Sequence, residues 1–160
     1  MLILNSGGTF NKRYNPISGA LEVPYDNAAI ERIMLDVNGA YNLAGVVYKD
    51  SLDMDIEDRK MLANIIFESK DDKFIIVHGT DTMDVTAEFL SEVFDDRKII
   101  LTGAMKPLEI DNIEASFNLG MAIGFLNAKV ENGIYICMNG LIEPWDKMIK
   151  NRNIGKFELV

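Results

Sequence analysis

The run Phe74-Ile75-Ile76-Val77 constrains the fold more than any other part of the chain. Four β-favouring apolar residues follow one another without polar alternation, the pattern of a strand covered on both faces. Such a strand needs helices on either side, and the flanking sequence supplies them. After His78-Gly79-Thr80-Asp81-Thr82, apolar residues at Phe89, Leu90, Val93 and Phe94 recur at helical spacing. The same alternation runs through the whole chain. Leu2-Ile3-Leu4 is a first buried strand, and Ile30, Ile33, Met34 and Val37 mark a helix that Asn38-Gly39 should stop. Gly45-Val46-Val47-Tyr48 is a second strand, followed by a helix that Asp55 and Asp58 open and that carries a stripe of Met61, Leu62, Ile65 and Ile66. Ile99-Ile100-Leu101 forms another strand. A helix over about 114–128 is apolar on most sides, with Gly120 and Gly124 four apart, and Gly133 to Met138 is the fifth strand. Strands and helices in this order specify an α/β fold with a doubly wound, mostly parallel sheet, Rossmann-like or flavodoxin-like. A chain of 160 residues with 48% hydrophobic content suits a single domain spanning 1–160.

Ligands of such sheets bind outside the carboxyl ends of the strands. Three of those ends are polar: Ser6-Gly7-Gly8-Thr9, Asp50-Ser51-Leu52-Asp53-Met54 and His78-Gly79-Thr80-Asp81-Thr82. The hydroxyls of Thr9, Ser51 and Thr80 and the carboxylates of Asp53 and Asp81 should therefore converge on one edge. A hydroxyl beside a carboxylate can act as nucleophile or orienter and as anchor for a substrate cation. The same residue types also cap helices and close turns. The two glycines before Thr9 lack the spacing of a dinucleotide fingerprint and the Gly-Lys-Ser/Thr of a P-loop. Residues 10–24, with turn signals at Tyr14-Asn15-Pro16 and Ser18-Gly19, suggest a hairpin or mobile loop, in which Tyr14 is either plain surface or part of a lid. No Gly-x-Ser-x-Gly elbow occurs and His78, the only histidine, lies at a strand end, which disfavours a serine-hydrolase triad. An active threonine needs a base, and lysine is the remaining candidate.

Composition narrows the partners. With 16 Lys plus Arg against 25 Asp plus Glu, the formal net charge of −9 repels nucleic acid and anionic membrane surfaces. One cysteine, Cys137, excludes an intrachain disulfide, and with one histidine no Cys/His zinc site can be assembled, so no cofactor or metal is expected. Met1-Leu2-Ile3-Leu4 gives way at once to Asn5-Ser6, too short for a secretory apolar region, and Leu119 to Leu126 is far short of a membrane span. The expectation is a soluble, cytoplasmic protein.

Several ordered segments resemble the bacterial-type L-asparaginases: Ser6-Gly7-Gly8-Thr9-Phe10, Tyr14-Asn15-Pro16-Ile17-Ser18-Gly19, Asp50-Ser51-Leu52-Asp53-Met54, His78-Gly79-Thr80-Asp81-Thr82-Met83, Leu101-Thr102-Gly103-Ala104-Met105-Lys106-Pro107 and Asn118-Leu119. The resemblance covers essentially the whole chain. It implies hydrolysis of a small amide, L-asparagine or a related one, through an acyl-enzyme. Thr9 would be the nucleophile and Tyr14 would close over it. Thr80, Asp81 and Lys150, the last from Lys150-Asn151-Arg152-Asn153, would form a second set. Ser51, Leu52, Asp53, Thr80 and Asp81 would line the substrate site, with Ser51 on the α-carboxylate and Asp81 on the ammonium.

Two departures from the family's pattern bear on substrate. Family members are about twice as long, with a smaller C-terminal domain that completes the pocket of a neighbouring subunit. Leu52 stands where a polar residue commonly helps hold the amino-acid head group, and Glu114-Ala115 replaces the usual Asp-Gly. A homo-oligomer, dimer or higher, is expected. The alternative function is a non-catalytic module that binds a small amino acid.

Overall fold

A computed structural model describes residues 1–160. In chain order the elements are β1 (Leu2–Gly7), β2 (Arg13–Asn15), β3 (Ala20–Glu22), α1 (Ala28–Met34), β4 (Asn42–Lys49), α2 (Ile56–Glu68), β5 (Lys73–Val77), α3 (Met83–Val93), β6 (Lys98–Thr102), α4 (Asn112–Asn127), β7 (Gly133–Met138), β8 (Leu141–Pro144), β9 (Met148–Asn151) and β10 (Lys156–Leu159). One-turn 3-10 helices follow β1 at Thr9–Asn11, β4 at Ser51–Asp53 and β8 at Trp145–Lys147. The main sheet has six strands in the order β4-β1-β5-β6-β7-β8. Its first five are parallel and β8 runs antiparallel to β7. Counting only the parallel strands, the order is the flavodoxin-like 2-1-3-4-5, whose switch point lies between β1 and β5.

Alternate residues of each central strand enter different cores, as a strand covered on both faces requires. Leu2, Leu4, Phe74 and Ile76 pack with α2 and α3. Ile3, Ile75 and Val77 pack with α1 and α4 on the other face. Helices on both faces make the sheet doubly wound. No helix is long and apolar enough to cross a membrane.

Several expected details change. The tail after β7 adds the antiparallel strand β8 and the hairpin β9–β10, because Met148 and Phe157 insert into the α2/α3 core. Short, partly charged strands of this kind carry little hydrophobic pattern. Helix α1 stops at Met34, before Asn38-Gly39, and Val37 continues only as a turn whose N–H bonds Met34 O at 3.1 Å. The buried side of α2 is Arg59, Leu62, Ala63 and Ile66, with Met61 turned to solvent. In α3 it is Met83, Thr86, Ala87 and Leu90, while Val93 is half exposed. Helix α4 buries Ala115, Leu119, Ala122 and Ile123, but its outer side leaves Ile113 and Phe117 exposed and nothing in the chain packs over Gly120 or Gly124.

Candidate functional site

The carboxyl ends of β1, β4, β5 and β6 meet around Gly79. A methyl group on Gly8, whose φ is 76°, would lie 2.4 Å from Gly79 N, so the Thr9 turn rests directly on the β5 turn. On the other side, a methyl group on Gly79 would lie 2.6 Å from the Ser51 side chain. Only glycine permits such approach of backbones. The third contact comes from β6, where His78 N donates to Thr102 O at 2.8 Å and continues the ladder past the end of β5. Thr9, Ser51 and Thr80 are thereby gathered at the switch point of the sheet.

A lysine from the far end of the chain completes this edge. Lys150 Nζ donates to Thr80 Oγ1 at 2.7 Å and to Asp81 Oδ1 at 2.9 Å. Its side chain is only 11% exposed. Thr80 is buried as well. Lys150 lies opposite Phe157 in the β9–β10 hairpin, and Phe157 is fixed twice, by its ring in the core and by its N–H, which Asn139 Oδ1 accepts at 2.9 Å. Arg152 of the same hairpin donates to Asp81 O at 2.9 Å. A threonine oxygen touching a buried ammonium can carry developing negative charge at reduced cost. Asp81 Oδ2 makes no hydrogen bond within the chain, and the side chain is about one-third exposed.

The other predicted residues are less engaged. Thr9 is partly exposed and its hydroxyl has no hydrogen bond within the chain. Ser51 is buried, with Oγ accepting Asp81 N at 3.2 Å, which leaves its own O–H to donate. Leu52 is 67% exposed and Asp53 is exposed beside a cleft of about 380 Å³ between the β2–β3 hairpin and the Ser51 turn. Tyr14 lies on β2, 57% exposed, with its backbone N–H on Glu109 Oε2 at 3.1 Å and its hydroxyl unbound. None of the five cavities is lined by Thr9, Thr80, Asp81 or Lys150.

Electrostatics separates structural from reactive groups. Burial pushes the His78 imidazole down to about 4, with the Arg59 charge adding to it and the Gly79 carbonyl and Asp84 opposing it, so His78 is neutral at pH 7. Burial pushes the Cys137 thiol up to about 12, which removes it as a nucleophile. Burial alone would raise the Asp50 carboxyl, but the Lys12 ammonium and the Leu52 amide outweigh it and hold that group below its usual range. No three His, Cys, Asp or Glu side chains converge as a metal site would require.

Sequence reasoning missed four supports of the site. Ser6 Oγ donates to Val77 O at 2.9 Å and ties β1 to β5 just before their turns. Asp50 binds Lys12 at 2.6 Å. Glu114, flagged only as a departure, accepts Met105 N and Lys106 N and holds Asn139. Arg59 lies on the apolar side of α2, and its spacing of three, four and seven residues from Leu62, Ala63 and Ile66 was the available signal.

Comparison with known proteins shows the family and the fold. Residues 1–153 match the family described as Asparaginase, N-terminal. The chain is 27% identical over 168 residues to a glutaminase-asparaginase of Acinetobacter glutaminasificans, covering 96% of this chain and 50% of that protein. It is 30% identical over 166 residues to an L-asparaginase of Thermococcus kodakarensis, covering 97% of this chain and 48% of the relative. The solved structure of the thermostable L-asparaginase from Thermococcus kodakarensis superposes with a TM-score of 0.86 at 24% identity, over 99% of this chain and 50% of that one, a likeness of fold. The chain thus spans about half the length of these relatives. With the family matched across residues 1–153, and the glycine-packed strand ends where the sheet order puts a ligand, the chain belongs to the asparaginase N-terminal domain family.

Proposed function

We propose that the chain acts as an amidohydrolase on a small linear amide, L-asparagine or a relative of it. The contact of Lys150 Nζ with both Thr80 Oγ1 and Asp81 Oδ1, made across some 70 residues of sequence, carries this reading. Binding alone does not call for an ammonium against a buried hydroxyl. In the proposed reaction Thr9 Oγ1 attacks the amide carbon, with Tyr14 folding over it. The amide nitrogen takes up a proton and leaves as ammonia. Water then cleaves the threonyl ester and restores the hydroxyl. Thr80, held by Lys150, supports the proton transfers, and backbone N–H groups near it face the oxyanion. Ser51 O–H donates to the substrate carboxylate, Asp81 takes the ammonium, and Leu52 and Asp53 border the head group.

Ammonia release from asparagine, glutamine and simple amides tests the proposal, with Thr80→Val as the control. Release that disappears in the control supports it. Calorimetric binding of an amino acid without any release from the three substrates overturns it in favour of a binding module. The exposed apolar side of α4, with Ile113, Phe117 and uncovered Gly120 and Gly124, also leads us to propose a homo-oligomer, in which a second copy covers it. Sedimentation at micromolar concentration should show a dimer or larger species, and a strict monomer refutes that part.

A further inference from the structure

Arg59 is 7% exposed and forms no salt bridge, the nearby Asp55 carboxylate acting on it only through space. Its hydrogen bonds all end on neutral oxygens: Nε to Thr86 Oγ1 at 3.1 Å, Nη1 to Met54 O at 3.1 Å and Asp55 O at 3.0 Å, and Nη2 to Thr82 Oγ1 at 3.2 Å. Burying a cation without an anion in contact is costly, and an apolar side chain of similar volume would often stabilise the same place in α2 about as well. What the guanidinium adds is direction, because arginine only donates.

Two chains of hydrogen bonds start from it. In the first, Gly79 O can only accept, so neutral His78 donates to it from Nδ1, which leaves Nε2 to accept the Thr86 hydroxyl proton at 2.9 Å while that hydroxyl accepts from Arg59 Nε. The Nδ1–H to Gly79 O contact is 2.7 Å. In the second, Thr82 accepts from Arg59 and donates to Ser51 O at 2.8 Å. The chains end on Gly79 and Ser51, the residues whose close packing sets the two turns against each other. Met54 O, bound directly by Nη1, adds the far end of the Ser51 turn.

We propose that Arg59 is a positioning residue that sets the Ser51 turn in register with the Gly79-Thr80-Asp81 turn, and so the spacing of the groups that hold the substrate's head. Its kinetic consequence rests on the amidohydrolase reading. Its structural one does not. Arg59 touches no reacting atom, and its loss should therefore weaken substrate binding more than turnover.

The test uses Arg59→Met, Arg59→Lys and Thr82→Val. His78 is the only histidine, so imidazole nitrogen signals in NMR belong to it without assignment. In the wild type the ring proton should be on Nδ1 and the group should titrate near 4. In Arg59→Met a like charge is gone and Thr86 is free to turn its hydroxyl, so the His78 titration should rise, burial still holding it below the ordinary imidazole value. KM for the best amide should rise about tenfold with kcat changed less than about threefold. Arg59→Lys, whose single ammonium cannot span both threonines, should fall between. Thr82→Val cuts only the second chain and should raise KM while leaving the His78 titration in place. A ring proton on Nε2 in the wild type overturns the proposal. So does a folded Arg59→Met with unchanged KM, or one whose kcat alone falls with the folded fraction. If Arg59→Met does not fold, unchanged KM in both other variants overturns it. If the wild type releases no ammonia, the amidohydrolase reading fails, and amide hydrogen exchange at residues 51–53 decides this one: faster exchange in Thr82→Val supports it, and unchanged exchange overturns it.

Discussion

The Lys150 side of the site and the Tyr14 side differ in how far their polar groups are already engaged. On the first, Thr80 is buried, Lys150 holds two partners, and Arg152 binds the Asp81 carbonyl. On the second, Tyr14 and Leu52 are mostly exposed and neither side chain makes a polar contact. The hairpin β2–β3 is ordered internally by bonds from Asn15 and Ser18 to Glu22, and is attached through exposed contacts of Arg13 with Asp26 and of Tyr14 N with Glu109. The contrast separates two tasks. In the proposed reaction the groups that would stabilise charge are pre-organised by the sheet, whereas those that would admit and enclose a substrate are left free to move or to meet another surface.

The largest effects should come from the engaged side. Thr80→Val removes the hydroxyl on Lys150 and leaves an ammonium half unsatisfied, and Lys150→Met leaves Asp81 without its cation. Each should lower kcat roughly 100- to 1,000-fold, the cost of losing one pre-organised charge contact. Thr9→Val should abolish release outright, with unchanged circular dichroism, since it removes a hydroxyl but no core volume. Wild-type turnover in Thr9→Val would pass the nucleophile's role to Thr80.

Acid should act next, through a residue beneath both sides. His78 sits at about 4 in the folded protein against 6.5 when unfolded. The unfolded chain therefore binds a proton that the folded one refuses between these values. Stability is whole above pH 6.5 and falls as pH drops toward 4, by about 3 kcal/mol in all. Denaturant melts at pH 7 and pH 4.5 should differ by most of that amount, and His78→Gln should flatten the dependence. Equal midpoints at both pH values would mean that His78 is not buried in the folded state.

How much of this was legible in the sequence follows the same division. Val77 ends an unbroken apolar run, and a run without alternation forces a covered parallel strand, so the sheet, its active edge and the positions of Thr9, Ser51 and Thr80 could be read directly. The tail could not. Phe157 is one aromatic among charges, and only the cavity it fills beside α3 turns residues 148–159 into a hairpin that delivers Lys150. From the residues alone Lys150 was one lysine among several; only the family resemblance singled it out. Arg59 illustrates the opposite difficulty: its helical spacing was visible, but a charged side chain is normally assigned to solvent. Its role depends on two threonines and a histidine that only the folded chain brings within reach.

A third experiment sharpens the contrast from the open side. Leu52 is exposed at the Ser51 turn and offers no hydrogen bond to a substrate ammonium or carboxylate. Leu52→Gln should therefore lower KM for asparagine by about tenfold, near 1.4 kcal/mol, with kcat little changed. An unchanged KM would show that the head group is held elsewhere.

The smallest effect should come from the tether between the two sides. Lys12 follows the Thr9 turn and binds Asp50, the residue before Ser51, at 2.6 Å, with both side chains about one-quarter exposed. An ion pair so placed contributes about 0.5–1 kcal/mol, because water screens it and two side chains must be ordered to make it. Lys12→Met should accordingly lower stability by no more than about 1 kcal/mol and change kcat/KM less than about fivefold. The part of kcat/KM that depends on this contact should also weaken with added salt in the wild type and not in the variant. A loss as large as that in Lys150→Met would erase the distinction drawn between the two sides, since it would mean that the hairpin's attachment is as much a part of the charge-stabilising machinery as the lysine itself.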